Sequence, residues 1–180
     1  MNEFYSEYIK LYQEGMFAVD KNQLTLAYQA IRLAQENKKN IFVAGNGGSA
    51  AISNHLTCDF MKGFKSRPIS LSCNVPLITA IANDIGYKET ISYQFDKLKN
   101  VGDILILISS SGNSPNIVEA LDSASSSNTV IGLTGFSGGK LKEGCDISLH
   151  IPINNYGVVE DCHQSLMHII SQYLTNEMVK

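Results

Sequence analysis

Beyond residue 40 the sequence switches repeatedly between two kinds of segment, and this alternation restricts the fold more than any other feature. Short, β-branched apolar runs fall at 41–43, 69–71, 104–108, 130–133 and 147–151. Stretches with helical character lie between them, at 49–62, 77–83, 87–99 and 114–126, with a short piece near 139–143 and a last helix over about 158–178. Strand–helix alternation of this kind predicts an α/β fold, a mostly parallel sheet covered by helices on both faces. Such sheets bind ligands outside the carboxyl ends of their strands. A chain of 180 residues with 44% apolar content is long enough for one domain with a sizeable core.

Residues 1–37 read as a helical arm ahead of an α/β core at 38–180. Phe4, Tyr8, Leu11 and Tyr12 form one apolar stripe, and Leu24, Leu26, Ala27, Ile31 and Leu33 a second, with a break at 20–22. An arm this long needs a surface to cover, either its own domain or a partner subunit.

Two loops follow strands and carry the chemistry. The first, Gly45-Asn46-Gly47-Gly48-Ser49-Ala50-Ala51, directly follows an apolar run and opens a helix. Backbone N–H groups at such a helix start can bind an anion or a polar sugar. His55 and Asp59 lie four residues apart on the same helix and therefore project from one face. The second loop, Ser109-Ser110-Ser111-Gly112-Asn113-Ser114, suits a phosphate: hydroxyls donate, Gly112 permits close approach and the helix dipole favours negative charge. The simpler alternative is a serine-rich turn with Ser114 as an ordinary helix N-cap. Neither loop matches GxGxxG or GxxxxGK[ST], so the phosphate is expected to belong to the substrate and not to a nucleotide.

Other features narrow the class. A net charge of −3 gives no reason to expect nucleic acid or an anionic membrane as partner. No apolar run is long enough to span a bilayer. The opening Met1-Asn2-Glu3-Phe4-Tyr5-Ser6-Glu7 has no basic stretch followed by an apolar one, so a cytoplasmic location without a signal peptide is expected. Cys58, Cys73, Cys145 and Cys162 form no CxxC pair and read as buried free thiols. His150 and His163 read as structural, and Leu166, Ile169, Ile170 and Tyr173 on the last helix as core or interface.

The two loops resemble the signatures of sugar isomerase (SIS) domains. Leu133-Thr134-Gly135-Phe136-Ser137-Gly138-Gly139, together with Glu160-Asp161-Cys162-His163 and His168, makes the whole chain similar to the phosphoheptose isomerase family within that class. The resemblance implies a single SIS domain, a three-layer sandwich around a five-stranded parallel sheet, assembled as a homotetramer. It implies a cytoplasmic aldose–ketose isomerase that interconverts sedoheptulose 7-phosphate and D-glycero-D-manno-heptose 7-phosphate for bacterial surface glycans, with one zinc ion per active site. Asn46, Gly47, Gly48, Asn83 and Asp84 match sugar contacts, and Ser109, Ser110, Ser111 and Ser114 the phosphate cradle. His55 matches a zinc ligand. Asp59 falls where the family has a glutamate that is ligand, substrate contact and catalytic base in one. Glu160 falls on a glutamine that contacts substrate and metal, and His168 on a histidine that is ligand and acid/base.

Two of these positions depart from the family. Aspartate is shorter than glutamate by about 1.5 Å, one C–C bond, and a base misplaced by about 1 Å can cost on the order of 100-fold in rate. Glu160 replaces a neutral amide with an anion, which strengthens a metal site or provides a second candidate base. These changes open the way to a different phosphosugar. A SIS protein that binds without catalysing, as a phosphosugar sensor or an associate of a replication initiator, is the alternative from another class. Eight residues of helix rise about 12 Å, so Glu160 and His168 reach one ion most easily from two different subunits.

Overall fold

The computed structural model describes residues 1–179. Five strands, β1 (Asn40–Gly45), β2 (Arg67–Ser70), β3 (Ile104–Ser109), β4 (Thr129–Thr134) and β5 (Ile147–His150), form one all-parallel sheet in the order β2-β1-β3-β4-β5. All five fall on the expected apolar runs. Their side chains alternate between two cores, as a period of two requires. Ile41, Val43, Ile104, Ile106 and Ile108 face one layer; Phe42, Ala44, Leu105 and Leu107 face the other.

The first layer holds α1 (Asn2–Phe17), α2 (Lys21–Glu36), α3 (Gly48–Gly63) and α8 (Tyr156–Val179). The second holds α5 (Ser92–Leu98), α6 (Pro115–Ser123) and α7 (Gly139–Gly144). Helix α4 (Val75–Asp84) runs into a 3-10 turn at Tyr87–Glu89. The sequence predicts one helix over 87–99; the structure has the 3-10 turn and then α5. There the Thr90 hydroxyl donates to the Tyr87 carbonyl at 2.8 Å, a local bond that competes with continuous helix.

The helical arm packs on its own domain. Tyr8 donates to Asp161 of α8 at 2.6 Å, Tyr12 pairs with Ser165 at 2.8 Å, and the Gln23 side chain accepts from the Ser148 amide of β5 at 2.8 Å. Asp20 caps α2 by accepting from the Asn22 and Gln23 amides, which explains the break between the helices. Both apolar stripes are narrower than expected. Tyr8, Leu11, Tyr12, Leu24, Ala27 and Ile31 face the core, whereas Phe4 (67% exposed), Leu26 (45%) and Leu33 (59%) point outward. The thiols also divide: Cys162 is buried and Cys145 half-buried, but Cys58 and Cys73 are exposed, since their positions lie on outer faces.

His163 is structural, as its setting in α8 dictates. It is fully buried and its Nε2 lies 3.1 Å from the Thr134 carbonyl oxygen at the end of β4. Burial pushes its pKa down to about 4. The unfolded chain therefore takes up a proton near pH 6.5, while the folded chain resists it until about pH 4. Stability from this group is complete above pH 6.5 and is lost as pH falls through that window, by on the order of 3 kcal/mol. His163→Gln keeps a donor for Thr134 but cannot titrate. Its urea midpoint should fall less steeply than the wild type's between pH 6.5 and 4, measured by circular dichroism.

Candidate active site

Strand order places the two loops side by side. β2 lies on one side of β1 and β3 on the other, so the chain reverses its direction of travel across the sheet between β1 and β3. In the register of that pair Gly45 lies opposite Ile108. The glycine loop and the serine loop thus leave the sheet together, at the switch point where ligands of open α/β sheets bind.

Between them is a cavity of about 180 Å³ lined by the serine loop with Asn46, Ser49, Tyr156 and Glu160. The Ser109 and Ser114 hydroxyls face each other at 3.1 Å. Ser114 is the N-cap residue of α6, as the simpler alternative has it, but its side chain makes no capping bond and faces Ser109 instead. Ser110 is 5% exposed, and its hydroxyl has no hydrogen-bond partner among the described residues. A buried hydroxyl without a partner is an exception in folded chains, and here it belongs to a residue of the cavity wall. Gly112 closes the loop at φ +66°, where a Cβ would run into the Gly138 carbonyl. The loop is held from behind by Gly135 N–H donating to the Ser110 carbonyl at 2.8 Å and Leu141 N–H to that of Gly112 at 3.0 Å.

A second cluster lies farther along α3 and α8. The Asp59 Oδ2 atom is 3.6 Å from His55 Nε2 and 3.7 Å from His168 Nε2. The two imidazole rings meet edge to face, with centroids 5.1 Å apart. One ligand atom from each of the three residues falls within 4.8 Å of the others. Two imidazoles and a carboxylate, partly exposed, form a donor set suited to a divalent transition metal, zinc included. Asp59 and His168 open onto a groove of about 520 Å³ whose walls continue through Lys62, Gln172, Thr175 and Asn176.

The expected site residues therefore divide into two groups within one chain. His55, Asp59 and His168 come together. Asn46, Ser109, Ser110, Ser111 and Ser114 come together elsewhere, and Gly47 lines a small adjoining cavity with Asn46. Glu160 joins the serine group. Its carboxylate lies against Gly48, the first residue of α3, where any Cβ would collide with it. Glu160 stands eight residues before His168 on a continuous helix, a rise of about 12 Å. Asn83 and Asp84 are exposed at the end of α4, bonded to each other at 2.8 Å, and line neither cavity. Their segment reaches the site through Tyr87, whose hydroxyl donates to Asn46 Oδ1 at 2.8 Å.

Several participants escaped the sequence reading. Tyr156 packs against Phe136 with tilted rings, centroids 4.6 Å apart, and lines the serine cavity. It precedes Glu160 by four residues, so its facing was legible from helical spacing. The Gln164 amide lies 3.0 Å from His168 Nε2, again at a spacing of four. Asn116, completely buried, pairs with Asn46 through two amide hydrogen bonds of 2.8 and 2.9 Å. Nothing in the sequence distinguishes it from other polar residues in a first helical turn.

Comparison with known proteins gives a consistent picture. The SIS domain family matches residues 4–135. The phosphoheptose isomerase of Aliarcobacter butzleri is 36% identical over 176 residues, covering 93% of both chains. That of Campylobacter concisus is 37% identical over 155 residues, covering 83% of this chain and 82% of its own. A solved phosphoheptose isomerase from Francisella tularensis superposes with a TM-score of 0.91 at 30% identity, covering 97% of this chain and 96% of the other.

Removing one of three donors should nearly abolish metal binding. His168→Ala is expected to lose more than about 100-fold in zinc affinity, beyond the loss typical of outer-shell changes, as read by competition with a chromophoric chelator.

Proposed function

Because the chain belongs to the SIS-domain family, and within it to the phosphoheptose isomerases, we propose that it interconverts sedoheptulose 7-phosphate and D-glycero-D-manno-heptose 7-phosphate. The observation that carries this reading is the occurrence of two complementary clusters: a cradle of hydroxyls with an orphan donor, and a carboxylate held between two imidazoles. One suits a phosphate and the other the carbonyl end of a sugar.

The reaction moves a carbonyl between C1 and C2 and needs a carbon-bound proton removed and oxygen protons relocated. Ser109, Ser110, Ser111 and Ser114 bind the phosphate, aided by the start of α6; the Gly47–Gly48 backbone contacts the sugar, and Asn46, which lines the serine cavity too, contacts the sugar where it joins the phosphate and reaches both. Asp59 is the base. Its contacts to both histidines run through Oδ2, which leaves Oδ1 to take the proton from carbon. His168 moves the proton between the two oxygens. His55, Asp59 and His168 would hold a zinc ion, which when bound polarises the carbonyl and stabilises negative charge developing on the oxygens.

The separation between cradle and triad supports a site shared between subunits of a homotetramer. The cradle and Glu160 of one subunit would meet the triad of another, making Glu160 both a substrate contact and the fourth metal donor. Outward-facing Phe4, Tyr5, Phe17, Leu26 and Leu33 on the arm, with Ile169 and Tyr173 on α8, supply apolar surface for such assembly. Among the described residues no helix is long and apolar enough to cross a membrane. A cytoplasmic role, feeding heptose into bacterial surface glycans, fits the substrate. The carboxylate of Glu160 inside the cradle favours a second reading, isomerisation of a different phosphosugar through the same chemistry.

Incubation with sedoheptulose 7-phosphate, with and without chelator, tests the proposal. Chelator-sensitive aldose formation is expected, and phosphosugar binding without turnover would identify a binding module instead. Asp59→Asn and His168→Gln should each lower kcat by about 100-fold or more while leaving the fold unchanged by circular dichroism. Full activity in both would remove them from the catalytic assignment.

A further inference from the structure

A polar relay runs behind the wall of the serine cavity. It begins at the Tyr87 carbonyl, to which the Thr90 hydroxyl donates at 2.8 Å. With that proton committed, Thr90 Oγ1 can only accept, and Asn116 Nδ2 lies 3.4 Å away. The contact is long, but it sets polarity: the amino end of the Asn116 amide is the end facing Thr90. Thr90 and Asn116 are 2% and 1% exposed, so no solvent competes for these groups.

The polarity then passes to Asn46. Asn116 Nδ2 donates to Asn46 Oδ1 at 2.9 Å, and Asn46 Nδ2 donates back to Asn116 Oδ1 at 2.8 Å. Tyr87 adds a second donor to Asn46 Oδ1 at 2.8 Å. Turning one amide alone would oppose oxygen to oxygen and nitrogen to nitrogen. Turning both would set the Asn116 oxygen against Thr90 Oγ1, which could donate to it only by giving up its 2.8 Å bond to the Tyr87 carbonyl. The Asn46 oxygen is therefore saturated behind the wall, and one Nδ2 proton is left uncommitted. Asn46 also lines the serine cavity, so that proton is the group available to a ligand there.

We propose that Asn116 and Thr90 are positioning residues that orient the Asn46 amide so that an N–H, and not a carbonyl oxygen, faces the phosphosugar. The inference rests on the reading of the serine cavity as the phosphosugar site. Its chemical consequence is direct. A phosphate oxygen accepts from an N–H and is repelled by a carbonyl oxygen, and this cavity already contains the Glu160 carboxylate. Asn116 sits two residues after Ser114, so the relay also ties the start of α6 to the loop that opens α3.

The test uses the full-length, zinc-loaded enzyme and two readouts: KM against kcat for sedoheptulose 7-phosphate, and the Kd of inorganic phosphate by calorimetry. Asn46→Ala and Asn116→Ala should each raise KM and phosphate Kd by roughly 10-fold, as expected for one hydrogen bond to a charged oxygen. Zinc content should be unchanged and kcat should fall by less than about 3-fold. In the Asn46→Ala background Asn116→Ala should add less than about 2-fold, since it acts only through Asn46. Thr90→Val should raise KM several-fold and Thr90→Ser should restore it; this near-isosteric pair keeps the test decisive if Asn116→Ala fails to fold. Multiplying effects in the double variant, or a Thr90→Val enzyme equal to wild type, would overturn the proposal. A wild-type chain that binds phosphate without isomerising heptose phosphate would overturn the functional reading instead, with the relay still read from phosphate affinity.

Discussion

The pairing of β1 with β3 is the constraint on which the rest of the site depends. Their parallel register sets Gly45 beside Ile108, so two loops distant in sequence emerge from adjacent points on one edge of the sheet. Each then starts a helix, α3 from the glycine loop and α6 after the serine loop. The buried side chains of these strands maintain the register, since a slip by one residue would move every side chain from one core to the other. The Asn46–Asn116 amide pair spans the same junction above the sheet. Binding geometry and core packing are therefore consequences of one interaction, and neither can drift without the other.

The second constraint is the contact of α3 with α8. Ile52, Leu56 and Phe60 of α3 face the same core as Val159, Leu166, Met167 and Ile170 of α8. With those faces committed inward, His55, Asp59 and His168 are left on the flank where the two helices meet solvent. Both helices begin near the cradle and run away from it, so chemistry placed two turns along them is separated from the phosphate end by about 12 Å. In the proposed reading a single chain thus carries two half-sites. The outward apolar residues on α1, α2 and α8 lie on the same layer as the triad, which makes assembly and site completion one event in the proposed reading.

Much of this was legible in the sequence because it follows from period and spacing. Five β-branched runs became five strands, and His55 with Asp59 became neighbours because four residues are about one helical turn. What was not legible depends on which element faces which. Helical spacing alone could not say that Glu160 turns toward Gly48 while His168 turns toward Asp59. Only the alignment of α8 along α3 decides that. The outward turn of Leu26 and Leu33 has the same origin, because α2 offers the sheet only the face carrying Ala27, Ile31 and Ala34. Asn116, Thr90 and Tyr87 are ordinary residues whose proposed role exists only in their hydrogen-bond directions, and composition has no access to direction.

If the serine cavity holds the phosphate, as proposed, a carboxylate beside it raises an electrostatic problem that two helix starts would ease. Two anions in one small cavity repel, and the repulsion grows as water is excluded. Each helix start carries partial positive charge, and the site has two of them. Glu160 lies against the first residue of α3, where the absence of a side chain at Gly48 admits it. The start of α6, with Ser109, Ser110, Ser111 and Ser114, is left for the phosphate. In the proposed reading the two negative groups thus lie at different helix starts and do not share one. A glutamine at this position would need no such arrangement. The acidic residue therefore changes what the cavity asks of its ligand: strong donors on the serine side, tolerance of a fixed negative charge on the other. In the proposed reading, selection among phosphosugars would follow from the groups carried beside the phosphate, since a hydroxyl there can donate to Glu160 whereas a second anionic group cannot.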